Sequence, residues 1–498
     1  MKTLNRTRLT ALALALVALL ATGPAFAQAV NTGNANFTKY VALGDSLTAA
    51  FASGGLLSSV QVNSYPALIQ RQVTGSSTGF QQPTVGAPGA PPLLDLASLS
   101  PLVIAPRASA PGNPTNLTLP RPYDNLAVPG FKVRDISNTV SGNAIISLIL
   151  RNPAFGNTTA LAQALSLRPT FVSLWAGNND VLGAATSGIV IDGVTLTTAA
   201  DFDRDYRALV GQIRATGAQL AMATISNVTA IPFVTTLPPV VINPQTNQPV
   251  LVGGQPVRLL GPNGPLSLAD RVLLSAAGPL NQGIGIPAAL GGTGLPLGDQ
   301  HILSAAEVAT ITARVAAYNS TIRAVADQTG SALVDANVIF DDIAAHGLHY
   351  GGLNYTAAFL SGGLFSYDGV HPTSFGYAFV ANEFIKAING RFGARIPQVD
   401  LFPFTFGDAG SAGTFTDVEA ASSMLDGKAL DNLRISLRVP PTQWLLNRAG
   451  QDGGGNGGGS GPGNGGNGGN GGNGGVPAPP AGTVGGHERP GRPGNDGP

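Results

Sequence analysis

Tyr40-Val41-Ala42-Leu43-Gly44-Asp45-Ser46-Leu47 joins a short apolar run to a glycine-led polar turn that carries a serine. An apolar run of this length, bounded by turn residues, is the pattern of a strand buried on both faces. Similar runs lie at 170–175, 219–225 and 332–338. Helical patterns separate them. Between 201 and 216, Phe202, Tyr206, Leu209, Val210 and Ile213 recur at helical spacing. Ser304-Ala305-Ala306-Glu307 is a capping box that opens a long helix toward Gln328. A further helical pattern covers 375–389. Strands alternating with helices predict an α/β fold, a parallel sheet covered on both faces. Ligands of such sheets bind beyond the carboxyl ends of the strands. Ser46 stands at one of those ends.

The ends of the chain differ in character. Lys2, Arg6 and Arg8 precede an apolar stretch at 9–21 and an Ala25-Phe26-Ala27 site. This is the layout of an export signal at 1–27, with the mature chain starting at Gln28 and lying in the periplasm or outside the cell. The stretch is too short to span a bilayer, and no other run reaches about 18 apolar residues. From 449 to 498 the chain is mostly Gly, Asn and Pro. Such a segment has too few apolar side chains to offset its ordering entropy and reads as a disordered tail. The 498 residues contain no cysteine, so neither a disulfide nor a lipid-anchored cysteine is available. With 43% hydrophobic residues, stability comes from an apolar core. Charged residues make up 11% and the formal net charge is zero, which gives no basic face for nucleic acid. The main folded domain is expected at 28–395, with Pro/Gly-rich insertions at about 81–123 and 232–298, and an extension at 396–448 packing on it.

Four blocks carry chemistry. A serine hydroxyl needs a general base to act as a nucleophile. Asp368-Gly369-Val370-His371 offers one. A helical turn at that spacing puts the carboxylate and the imidazole on one side, where Asp368 accepts the Nδ1 proton and leaves Nε2 free for Ser46. Any helix that follows Ser46 would also aim its first amides at the reacting centre. The oxyanion of a tetrahedral intermediate needs aimed donors. The backbone amides of Ser46 and Gly130 and the side-chain amide of Asn179, in Gly177-Asn178-Asn179-Asp180, are the candidates. Each block alone also reads as an ordinary turn. His346 and His349 lack metal-ligand spacing, and no metal or cofactor is called for. Gly75-Ser76-Ser77-Thr78-Gly79 fits a nucleophile-elbow pattern but follows a helix-like stretch instead of a strand, and reads as a turn.

In this order, Gly44-Asp45-Ser46-Leu47, Gly130, Gly177-Asn178-Asn179-Asp180 and Asp368-Gly369-Val370-His371 resemble the blocks of the GDSL, or SGNH, hydrolase family. The resemblance implies a flavodoxin-like three-layer fold and a secreted esterase or lipase working through an acyl-enzyme. It makes Ser46, Asp368 and His371 the triad, and Ser46, Gly130 and Asn179 the oxyanion hole. The implied partner is a small-molecule or lipid ester. Two other readings stay open on sequence: deacetylation of a polysaccharide by the same triad, and a non-catalytic surface-binding protein on the same scaffold.

Overall fold

The computed structural model describes residues 30–99, 102–107, 109–405, 424–425 and 437–452. The expected export signal and all but the first residues of the glycine-rich tail lie outside the described residues. Strands β1 (Tyr40–Gly44), β2 (Phe171–Trp175), β3 (Gln219–Ala223) and β4 (Ala332–Val334) form a parallel sheet in that order. A further segment runs along the free edge of β1. The Ala42 amide donates to Asp124 O at 2.8 Å, Leu126 to Ala42 O at 3.0 Å and Val128 to Gly44 O at 3.1 Å, with Ala42 and Asn125 bridged in parallel. Counted this way the order is 2-1-3-4-5, the flavodoxin-like arrangement. Its direction reverses between β1 and β2, so the crevice for a ligand opens beyond Gly44 and Trp175.

Side chains alternate along the strands and divide the core in two. Val41, Leu43, Val172, Leu174, Leu220 and Met222 face one layer of apolar side chains. Tyr40, Ala42, Phe171, Trp175, Ala221 and Ala223 face the other. The main helices are α1 (Tyr65–Thr74), α2 (Val133–Asn138), α3 (Asn179–Ser187), α4 (Ala199–Arg214), α5 (Ala305–Thr329), α6 (Ala336–His346) and α7 (Ser374–Phe392). α2 to α5 cover the first face, and α1, α6 and α7 the second. The second face pairs small strand residues with large helix residues. Ala42, Ala221 and Ala223 leave room for the rings of α1 and α7, where Tyr65 stacks on Phe384 at 4.5 Å.

The helical patterns of the sequence end at their caps. Thr198 accepts the Asp201 amide at the start of α4. Ser304 and Glu307 form the capping box of α5. The run at 332–338 is shorter as a strand than its composition suggests. Asp335 accepts the Val338 amide and starts α6, so the strand stops at Val334. Gly75 caps α1 with φ +77°, which puts the elbow-like string in a turn after a helix.

Neither insertion is featureless. Leu94–Leu99 and Leu102–Pro106 pair as antiparallel strands. Within 232–298, two-residue ladders surround a small apolar cluster that includes Val241, Leu259, Leu266 and Leu297. Beyond α7, Ile396, Val399 and Leu401 join the core under that helix, and Leu445 packs with Ile189 and Ile191.

The sheet is tightest where the crevice opens. A Cβ on Gly44 would lie 2.3 Å from the Trp175 carbonyl oxygen and 2.3 Å from Thr48 Oγ1. Gly44→Ala is expected to part β1 from β2 and to lower the unfolding free energy by about 1–3 kcal/mol. Gly211, inside α4, has nothing within 4 Å of such an atom. Gly211→Ala is expected to raise stability by about 0.5–1 kcal/mol. Urea denaturation of the two variants reads the opposite signs.

Candidate active site

β1 delivers Asp45 and Ser46 to the crevice, and both are buried. No helix follows Ser46. The chain instead makes a compact turn, with Thr48 and Ala49 amides donating to Asp45 O and the Phe51 amide to Ser46 O. Positive φ at Ala50 (56°) and Ser53 (49°) stops any helix there. No helix dipole therefore acts at Ser46 from its own strand. Asp45 is held by the Leu47 amide at 3.0 Å and by Asn178 Nδ2 at 2.9 Å. Burial pushes its carboxyl up to about 6, against the partial relief of those two donors.

Gly130 is brought beside this turn by the Val128–Gly44 hydrogen bond. Its φ of +80° is one that glycine adopts without strain. Asn179, at the start of α3, donates Nδ2 to Phe131 O at 3.1 Å. Asp180 accepts the Val133 amide at 2.9 Å. The block after β2 thus grips the Gly130 segment at two points. Among the described residues, the amides of Ser46 and Gly130 donate to no acceptor. Asn179 Nδ2 keeps a second proton beyond the one given to Phe131 O. Asp180, like Asp45, is raised to about 6 by burial, partly countered by the Val133 amide and the Lys132 charge.

Asp368 and His371 meet, though not on a helix. They sit in a tight turn just before α7, which Thr373 caps by accepting the Gly376 amide. The turn forms because Asp368 Oδ1 accepts the amides of Val370 (2.9 Å) and His371 (2.8 Å). This is the local bonding that makes aspartate favour turns over helix interiors. Asp368 Oδ2 lies 2.9 Å from His371 Nδ1. Burial alone would raise the Asp368 carboxyl. The neighbouring His371 and its hydrogen bonds outweigh that and hold it below the usual carboxylate range. An ionised carboxylate only accepts, so Nδ1 carries the proton. Nε2, buried, has no hydrogen-bond partner among the described residues. The expected hydrogen bond between Ser46 and His371 Nε2 is therefore not closed here. Such contacts are often long without substrate and tighten when it binds.

Ser46 and His371 line one cleft, which is open to solvent. Asp368 is buried behind the imidazole. Gly130 and Asn179 are joined through Phe131 but do not line the cleft, whereas Asn178 does. The remaining wall is mainly apolar, with Leu182, Ile231, Phe340, Ile343 and Phe365. The 232–298 insertion is tied to the histidine turn, because the Phe233 amide donates to Gly369 O at 2.9 Å.

Three contributors were not singled out in the sequence. Asn178 steadies Asp45 across 133 positions, a pairing with no local signal. Ser366 Oγ accepts the Ser53 amide (2.8 Å) and donates to Asp368 Oδ1 (3.2 Å). The Gly54 amide adds a bond to Asp368 Oδ2 at 3.0 Å. The Ser366-Tyr367-Asp368 spacing is itself a turn signal; its link to residue 53 is not.

The buried acids set a pH dependence. Asp45 and Asp180, raised to about 6, bind protons more tightly in the folded chain than the roughly 3.9 of an unfolded aspartate. Their effect is destabilising above about pH 6 and fades toward pH 4. Asp368, lowered, acts oppositely, and its contribution is lost only as pH falls below the usual aspartate range. The Tm is expected to rise between pH 7.5 and 5.5, and Asp45→Asn to flatten that rise. Thermal melts across the range measure both.

Residues 40–384 match the model of the GDSL-like Lipase/Acylhydrolase family. No curated protein matches the sequence. Among solved structures, the chain is similar to LAE5, an alpha/beta hydrolase enzyme from the metagenome of Lake Arreo, Spain. That match has 16% identity and a TM-score of 0.31, covering 71% of this chain and 95% of that one. It is also similar to a catalytic mutant of Axe2, an acetylxylan esterase from Geobacillus stearothermophilus. There the identity is 12% and the TM-score 0.31, covering 70% and 93%. With its four blocks inside the matched span and its central parallel sheet between two helical layers, the chain belongs to the GDSL-like lipase/acylhydrolase family.

Proposed function

We propose that this chain is an exported serine esterase that cleaves carboxylic esters through an acyl-enzyme. One observation carries the reading. His371 has Nδ1 fixed by a buried carboxylate and Nε2 buried without a partner, in the same cleft as Ser46. An imidazole so arranged is ready to accept one proton at one atom.

In the proposed sequence Ser46 Oγ attacks the ester carbonyl carbon while its proton moves to His371 Nε2. Asp368 stabilises the imidazolium and holds the ring. The tetrahedral oxygen takes donors from the Ser46 and Gly130 amides and Asn179 Nδ2, each with a free proton to give. The carbon–oxygen bond to the alcohol breaks as Nε2 returns the proton to the leaving oxygen. A water then attacks the acyl carbon, gives its proton to Nε2, and the acid leaves as Ser46 is reprotonated. The apolar cleft wall supports an apolar acyl group ahead of an acetylated polysaccharide. Export rests on the leader at 1–27, and the domain is taken as 28–395 with the extension at 396–448 packed on it. No helix among the described residues is long and apolar enough to cross a membrane.

A panel of p-nitrophenyl esters tests the reading. Ser46→Ala is expected to lower kcat by about 10⁴-fold or more with an unchanged circular dichroism spectrum. Asn179→Ala is expected to lower kcat by about 10²–10³-fold. Full activity in a folded Ser46→Ala protein would overturn the proposal.

A further inference from the structure

Residues 437–452 lie beyond every block of the site in the chain, yet they return to its Gly130 side. Leu437 is buried in the same core layer as Phe131, and Val439 packs against that layer. Between them Arg438 is held with φ +57°, a conformation that is costly for a residue with a Cβ and persists only where the surroundings impose it. The Arg438 guanidinium lies over the Phe131 ring, 5.3 Å from its centroid. Its Nη1 donates to Asp135 Oδ2 at 2.6 Å, and the same oxygen accepts the Lys132 amide at 3.0 Å. Arg438 thus grips the chain at two points directly after Gly130.

The helix Thr442–Asp452 adds a second hold. Its Leu445 is fully buried and packs with Ile189 and Ile191, in the loop that follows α3. Lys132 Nζ donates to Val194 O in that same loop at 2.9 Å. Asn179 stands at the other end of α3. The Gly130 segment and α3 are already bonded to each other through Phe131 O and the Val133 amide. The C-terminal segment therefore touches both carriers of oxyanion donors, and none of its residues lines the cleft.

We propose that 437–452 braces the oxyanion hole, with Arg438 as a positioning residue. The proposal rests on the esterase reading of Ser46. Arg438 acts through Phe131 and Asp135 on the aim of the Gly130 amide and of Asn179 Nδ2. An ion pair as solvent-exposed as this one contributes little to folding. The aim of a donor matters most once charge has formed on the oxygen, so losing the grip lowers kcat with little change in KM.

The test combines kinetics on p-nitrophenyl butyrate with amide hydrogen exchange. Arg438→Gly removes the grip and suits the left-handed backbone. It is expected to lower kcat about 3–10-fold, a fraction of the cost of losing a whole donor, with KM within about twofold. Arg438→Lys keeps the charge and is expected to regain most of that loss. Arg204→Ala, which breaks an exposed ion pair on α4, is expected to leave kcat within about 1.5-fold. In an Asn179→Ala background Arg438→Gly is expected to cost less than about twofold, because the two act as one unit. Leu445→Ala loosens the second hold and serves if Arg438→Gly misfolds. The exchange arm does not depend on turnover. Amides at 131–139 are expected to exchange at least about tenfold faster in Arg438→Gly, with those of β1 and β2 unchanged. Faster exchange there supports the brace even if no ester is cleaved, in which case it is the esterase reading that fails. Unchanged exchange overturns the brace. Faster exchange with an undiminished kcat, or a full multiplicative loss in Asn179→Ala, overturns the positioning role.

Discussion

The Asp368 carboxylate organises the rest of the site. It is fully buried and accepts five hydrogen bonds, from the Gly54, Val370 and His371 amides, the Ser366 hydroxyl and the His371 ring. A charge in such a place is tolerated only when donors surround it. Here the donors come from two parts of the chain more than 300 positions apart. The segment after Ser46 and the segment before α7 are bound to one another through that anion. Satisfying it fixes the histidine tautomer, folds the turn and holds the serine's loop in the same act.

The sheet supplies the remaining constraint. Its order reverses between β1 and β2, and the strands end so close together that Gly44 has no space for a side chain. Three loops leave from this point: the Ser46 turn, the Gly130 segment and the block at 177–180. Each is bonded to another. Val128 is held by Gly44, Phe131 by Asn179, Val133 by Asp180 and Asp45 by Asn178. Asp45 and Asp180 carry burial penalties that leave them near 6. The site's geometry is thus held at some expense to stability near neutral pH.

Much of this was legible in the residues. The strands at 40–44, 171–175 and 219–223 were marked by apolar runs, and α4 and α5 by periodicity and caps. What the sequence hid was decided by local bonding or by distance. Asp335 turns the chain into α6 three residues before the apolar run ends. Left-handed backbone at Ala50 and Ser53 prevents a helix after Ser46, though nothing in those residue types announces it. The bonds from Ser53 and Gly54 to the Asp368 turn join segments with no shared pattern. The insertion at 232–298 reads as a loop because its ladders are two residues long, too short for a period to register.

The central claim is that Ser46 is activated by His371 and through it by Asp368. Covalent labelling with a fluorophosphonate, mapped by mass spectrometry, tests it most directly, because a phosphonyl group transfers rapidly only to an activated hydroxyl. The account predicts one adduct per folded chain, on Ser46, formed at least a thousandfold more slowly in His371→Ala, in line with the loss of a triad member. An adduct on another residue, or labelling of Ser46 that does not depend on His371, would contradict it.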